Sequence, residues 1–196
     1  MPRTRSRSAH QKVLDAAIAL LAERGVDGTS MDAIAETSGV SKATIYKHWK
    51  DKDQLLLEVM AELSGLHARP TFSSGDTRAD MVAVLSYQPQ ERRDLRERIT
   101  PHFVAYGARN PTFGDIWRNK VMEPPRRELK ALLTSGIKKG EFPPSLDLEL
   151  SLCLLLGPLL YRYIFRKKSS EDVRPLAEGV VEAFWLAYGK KTSAAK

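Results

Sequence analysis

Apolar residues recur at spacings of three and four along most of the chain, and the period of two that marks a half-buried strand is nearly absent, so the pattern predicts an all-α fold. Val13, Leu14, Ala17, Ile18, Leu20 and Leu21 share one face of a first helix. Ser8 and Gln11, in capping-box spacing, predict its start, and Gly25 its end. Thr29 or Ser30 then caps a short helix from Met31 to Thr37, Gly39 breaks the chain, and Ser41 caps a second short helix from Lys42 to about Trp49. Asp51, followed three residues on by Gln54, caps a fourth helix that carries Leu55, Leu56, Val59, Met60 and Leu63 toward His67.

Residues 69–78 lose the period and cluster Pro, Ser and Gly, which reads as a linker between a domain at 1–68 and a second at 77–190. The second domain begins with a helix near 79–88 and a charged stretch, ERRDLRERI. Thr100-Pro101 predicts the start of a helix bearing His102, Phe103 and Tyr106, because proline is tolerated at a first helical position. A helical pattern over 113–139 meets Pro124-Pro125, which should kink or break it. Residues 147–166 are apolar nearly all round, so the helix they form must be covered on two sides. Residues 172–189 add a broad apolar face. So few elements remain to cover both that a second copy of the chain is the economical partner. The predicted dimer contacts are Leu152, Leu155, Leu159 and Tyr163 on one helix and Val181, Phe184, Trp185 and Tyr188 on the other.

Composition narrows the picture. One cysteine, Cys153, forbids an intrachain disulfide and suits a reducing compartment. Residues 2–12 are basic without the apolar segment of a secretory signal. The uncharged apolar run between Glu149 and Arg162 is shorter than the roughly twenty residues that span a bilayer. A cytoplasmic protein with no membrane partner is therefore expected. The 196 residues carry 31 Lys+Arg against 24 Asp+Glu, a formal charge of +7, which favours a polyanionic partner. Residues 1–69 hold 10 basic against 9 acidic side chains, however, so the charge must be read locally.

The local reading centres on MDAIAETSGVSKATIYKHWKDKDQLL, residues 31–56. Two short helices joined at Gly39 form a helix-turn-helix, with Ile34, Ala35, Val40, Ile45 and Trp49 as its small core. The outer face of the second helix offers Lys42, Ala43, Thr44, Lys47 and His48, short or basic side chains that suit a major groove. Ser30, Ser41 and Lys52 stand at helix N-termini, where free N–H groups attract phosphate. A lysine there opposes the dipole of its own helix, so Lys52 needs a separate reason to be present. Arg3, Arg5 and Arg7 form an arm that can reach DNA.

On ERGVDGTSMDAIAE, SGVSKATIYKHW and KDQLLLEV, residues 8–63 resemble the N-terminal domain of the TetR family of bacterial transcriptional regulators. The resemblance implies a homodimer with one helix-turn-helix per subunit, reading a pseudo-palindromic double-stranded operator. It places Ser41, Lys42, Thr44, Tyr46, Lys47, His48 and Lys52 where family members contact DNA. Trp49 stands where the family more often has phenylalanine, and both are aromatic anchors. VMEPPRRELKALLTSGIKKGEF and LELSLCLLLGPLLYRYIF resemble the C-terminal domain of one TetR subgroup. That likeness implies a four-helix dimer interface and a ligand-binding cavity. His102, Phe103, Tyr106, Trp117, Met122, Leu156 and Tyr161 are the candidate pocket residues, an aromatic set suited to a lipophilic or aromatic effector.

Nothing in the sequence assembles an active site, a metal site or a phosphate-binding glycine loop, so no enzyme activity and no cofactor is expected. Ser135 and Lys138 match an S-x-x-K spacing without its companion motifs. The expectation is a ligand-responsive DNA-binding regulator, acting as a repressor. A regulator without a small-molecule effector and a helical adaptor are the alternatives.

Overall fold

The computed structural model describes residues 3–87, 89, 92–165 and 172–190, with side chains from Ala9 onward. The elements are α1 (Arg3–Arg24), α2 (Met31–Ser38), α3 (Lys42–His48), α4 (Lys52–Leu63), α5 (Thr77–Ser86), α6 (Arg93–Arg109), α7 (Pro111–Trp117), α8 (Glu123–Lys138), α9 (Leu148–Phe165) and α10 (Arg174–Tyr188). A 3-10 turn lies at Leu66–Ala68 and a π turn at Arg118–Met122. The described residues contain no strand.

They fall into two compact units, and neither is continuous in sequence. The first unites residues 1–68 with 89–121, the second 69–88 with 122–196. This differs from the single boundary that the linker at 69–78 predicts, and α6 supplies the reason. Ile99 and Phe103 on α6, with Phe113 on α7, lie buried in the same apolar cluster as Val13, Ala17 and Leu21 of α1 and Leu55, Leu56 and Val59 of α4. Polar ties along α6 fasten it further: Arg92 pairs with Asp15 at 2.7 Å, and Arg98 donates to the Ala22 carbonyl at 2.8 Å. The second unit has its own cluster, in which Met81, Val84 and Leu85 of α5 meet Leu129 and Leu133 of α8, Leu152 and Leu155 of α9, and Val181 and Phe184 of α10.

Three helix ends depart from the sequence pattern. α1 already runs from Arg3, so Ser8 lies within the helix and does not cap it. Arg3, Arg5 and Arg7 belong to α1, with side chains outside the described residues. Pro101 sits inside α6 rather than at a helix start. The Thr100 hydroxyl beside it donates to the Arg96 carbonyl at 2.7 Å, one turn back. Pro124-Pro125 do not break the chain's helical course. Two adjacent residues without N–H groups leave the carbonyls of Lys120 and Val121 without α-helical partners, and the backbone widens there into the π turn before α8 resumes.

Helix α9 has one face in the core and one outside. Leu152, Leu155 and Leu159 are buried, whereas Leu150, Leu154, Leu160, Tyr161 and Phe165 are exposed, the last two at 66%. By length and composition alone this helix could cross a membrane. Its inner row, together with the buried Ser151 and Arg162, instead belongs to the unit's own interior.

Candidate nucleic-acid interface

The helix-turn-helix is assembled by caps written into the sequence. The Ser30 hydroxyl accepts from Ala33 N at 3.1 Å and opens α2; Thr29, the alternative cap, instead turns inward and donates to the Gly25 carbonyl at 2.7 Å. Gly39 takes φ +65°, the left-handed angle the turn requires, with open space where a side chain would project. The Ser41 hydroxyl accepts from Thr44 N at 3.3 Å and lies 2.9 Å from the Thr44 hydroxyl. Asp51 accepts from Gln54 N at 2.8 Å while the Gln54 amide oxygen accepts from Lys50 N at 3.1 Å, a reciprocal cap one residue off the usual register. With only seven residues, α3 is too short to be stable alone, so its place is fixed by burial of Ile45 and Trp49.

That burial turns Lys42, Ala43, Tyr46, Lys47 and His48 outward, all exposed, with Thr44 half-buried beside them. The Lys42 ammonium lies 2.6 Å from Asp32 of α2, an exposed pair that ties the two short helices and that a phosphate can replace at little cost. Lys47 and His48 occupy the last turn of α3, where cations also complement the helix dipole.

Lys52 departs from expectation. Its ammonium donates to the carbonyls of Val26 at 3.0 Å and Thr29 at 3.1 Å and lies 5.6 Å from the centre of the Tyr106 ring. A lysine that opposes its helix dipole here binds the loop between α1 and α2. Around it the same loop is held from α6: Arg109 pairs with Asp27 at 2.6 Å, holding that carboxyl below the usual aspartate range. Tyr106 donates to Asp53 at 2.9 Å, and burial together with that carboxylate pushes the phenol up to about 12. None of these long-range partners has a sequence signature.

The seven candidate effector residues are divided between the two units. Phe103 and Tyr106 pack against Phe113 in the first unit, with ring centres 5.8 and 5.0 Å apart, Trp117 lies 6.5 Å from Phe103, and the His102 ring lies over Gly25. Met122, Leu156 and Tyr161 belong to the second unit. Tyr106 is hydrogen-bonded to Asp53, and Phe103 is fully buried. Trp117 differs, because its buried indole N–H meets no acceptor among the described residues.

The predicted dimer contacts differ in how far the single chain already covers them. Leu152, Leu155, Leu159, Val181 and Phe184 are buried inside the second unit, and Tyr163, Trp185 and Tyr188 pack against that core from its edge. The five enclosed side chains have little surface to give a partner, whereas the three at the edge keep part of theirs. Among the described residues of α9 and α10, the large apolar side chains facing outward are Leu150, Leu154, Leu160, Tyr161 and Phe165 on α9 and Leu186, 75% exposed, on α10.

Comparison with known proteins decides the family. Residues 13–59 match the model for bacterial regulatory proteins of the tetR family, and residues 73–183 match the tetracyclin repressor-like C-terminal domain. The chain belongs to the TetR family. An HTH-type transcriptional regulator of Bacillus subtilis, YdeS, is 32% identical over 173 residues, covering 87% of this chain and 85% of that protein. A crystal structure of a TetR-family regulator from Mesorhizobium loti is 25% identical and superposes with a TM-score of 0.64, covering 95% of this chain and 99% of that one. The structure of Bacillus subtilis FadR in complex with stearoyl-CoA shares the fold, with a TM-score of 0.63 at 21% identity over 88% of this chain and 95% of its own. The TetR chain described here is thus a helix-turn-helix transcriptional regulator. Its two family-model matches meet near the linker, while its compact units interleave across it.

Proposed function

We propose that this TetR-family protein is a cytoplasmic, ligand-responsive repressor that binds a pseudo-palindromic operator as a homodimer. The observation that carries the dimer is the outer stripe of α9, where Leu150, Leu154, Leu160, Tyr161 and Phe165 recur at helical spacing with Leu186 of α10 exposed as well. A second copy would cover these exposed apolar side chains, and twofold symmetry makes one patch complementary to itself. Each α3 would then enter a major groove one helical turn from the other, about 34–36 Å apart. Lys42, Ala43, Thr44, Tyr46, Lys47 and His48 would meet bases and phosphates. Ser30 and Ser41 would present the N-termini of their helices to the backbone.

The aromatic side chains around Trp117 support a lipophilic or aromatic effector, and its unpartnered indole N–H supports one that also carries an acceptor oxygen. The FadR structure holds an acyl thioester on the same fold, which makes a fatty acyl group the first class to try. Selection of duplexes from a random library tests the reading. A recovered site should have twofold symmetry, and log affinity should fall against log salt with a slope near −7, as for roughly eight neutralised phosphates. Acyl-CoA esters added to the complex should release the DNA. Binding that is indifferent to salt, or a site without symmetry, would overturn the operator model.

A further inference from the structure

The C-terminal end of α3 is held by Trp49 of the helix-turn-helix core together with side chains from α1 and α4. Trp49, the residue that ends α3, is 2% exposed, and its indole Nε1 donates to Glu58 Oε2 of α4 at 2.6 Å. A phenylalanine would fill the same space and could not make this bond. The other Glu58 oxygen, Oε1, lies 3.0 Å from His10 Nε2 of α1. The His10 ring stacks on the Trp49 indole, with centres 4.7 Å apart and planes 27° from parallel. One carboxylate thus joins α1, α3 and α4 through two short contacts, of the kind that a charged acceptor makes strong.

His48 completes the group. Its ring meets His10 edge-on at 5.6 Å and 78°, and lies 5.6 Å from the Trp49 ring at 52°. His48 is nonetheless exposed, on the face that offers Lys47 and Tyr46. Packing by two rings on one side restricts the rotamers of a side chain that must be fixed when it meets DNA, and a restriction made in advance lowers the entropy lost on binding.

We propose that His10 and Glu58 are positioning residues for DNA reading, which hold Trp49 and through it orient the His48 imidazole at the end of the recognition helix. The proposal rests on the DNA-reading function above. A double-mutant cycle on the full-length chain tests it, with the best duplex from the random-library selection as probe. His10→Ala should weaken binding by up to about tenfold, the cost of ordering one side chain on binding. In a His48→Ala background the same change should cost less than about twofold, because the residue being oriented is gone. Glu58→Ala should behave as His10→Ala does. Glu58→Gln, whose carbonyl still accepts the indole N–H, should recover most of the affinity. A His10→Ala loss that persists undiminished beside His48→Ala, or unchanged affinity in the single variant, overturns the positioning role while leaving the operator model intact. A wild-type chain that selects no duplex overturns both.

Discussion

Helices α3 and α9 pose the same geometric problem and solve it with opposite chemistry. Each buries one row of side chains in its own unit and leaves the other row uncovered. On α3, of seven residues, the uncovered row is Lys42, Ala43, Tyr46, Lys47 and His48; on α9, of eighteen, it is Leu150, Leu154, Leu160, Tyr161 and Phe165. A cationic row stays hydrated until a polyanion displaces its counterions. An apolar row gains by leaving water altogether, at about 25 cal/mol for each Å² covered. The two surfaces therefore call for different partners, one whose grip weakens with salt and one whose grip barely responds to it.

Reversing the character of the α9 row should give the largest effect. Leu154→Asp should convert the proposed dimer to monomers in sedimentation equilibrium at micromolar concentration. Uncoupling the half-sites should lower operator affinity on the order of 100-fold or more. The neighbouring inner position should behave oppositely: Leu155→Ala should cost about 2–5 kcal/mol of folding stability through the cavity it leaves, read by denaturant titration. If both changes produced the same phenotype, the division of α9 into inner and outer rows would be wrong.

On the DNA side the contrast is between an outer lysine and a tethered one. Lys52→Met should lower stability by about 1–3 kcal/mol by abandoning two carbonyls, and leave the salt slope of DNA binding unchanged. A slope reduced by about 2, one for each subunit of the proposed dimer, would return Lys52 to the phosphate contacts. Tyr106→Phe should cost about 1 kcal/mol near neutral pH. The Tyr106 phenol binds its proton more tightly when folded, so its contribution is whole below pH 10 and is lost as pH rises toward about 12. The gap between wild type and variant should close across that window.

These particulars show what the sequence can and cannot carry. Ser30, Ser41 and Asp51 are legible because a cap is settled within three residues, and the outward face of α3 follows from the positions of Ile45 and Trp49. The orientation of α9 is not legible in the same way. A helix apolar all round has no phase, so the row that finds its own core is decided by α5, α8 and α10. Lys52, Tyr106 and Glu58 act across separations of 9 to 53 residues, where no local pattern constrains the partner. Pro101 misleads for a related reason: proline marks a helix start only when the chain around it has no stronger reason to continue.

The interleaving of the two units limits how the protein can be cut. A fragment ending at the linker would keep every residue of the reading head yet lose Ile99, Phe103 and Phe113 from beneath it, exposing the apolar undersides of α1 and α4. A portable DNA-reading module drawn from this chain must therefore carry the segment 89–121 as well, spliced across the gap. Grafting residues 1–68 alone onto another protein would transplant a lid without its box.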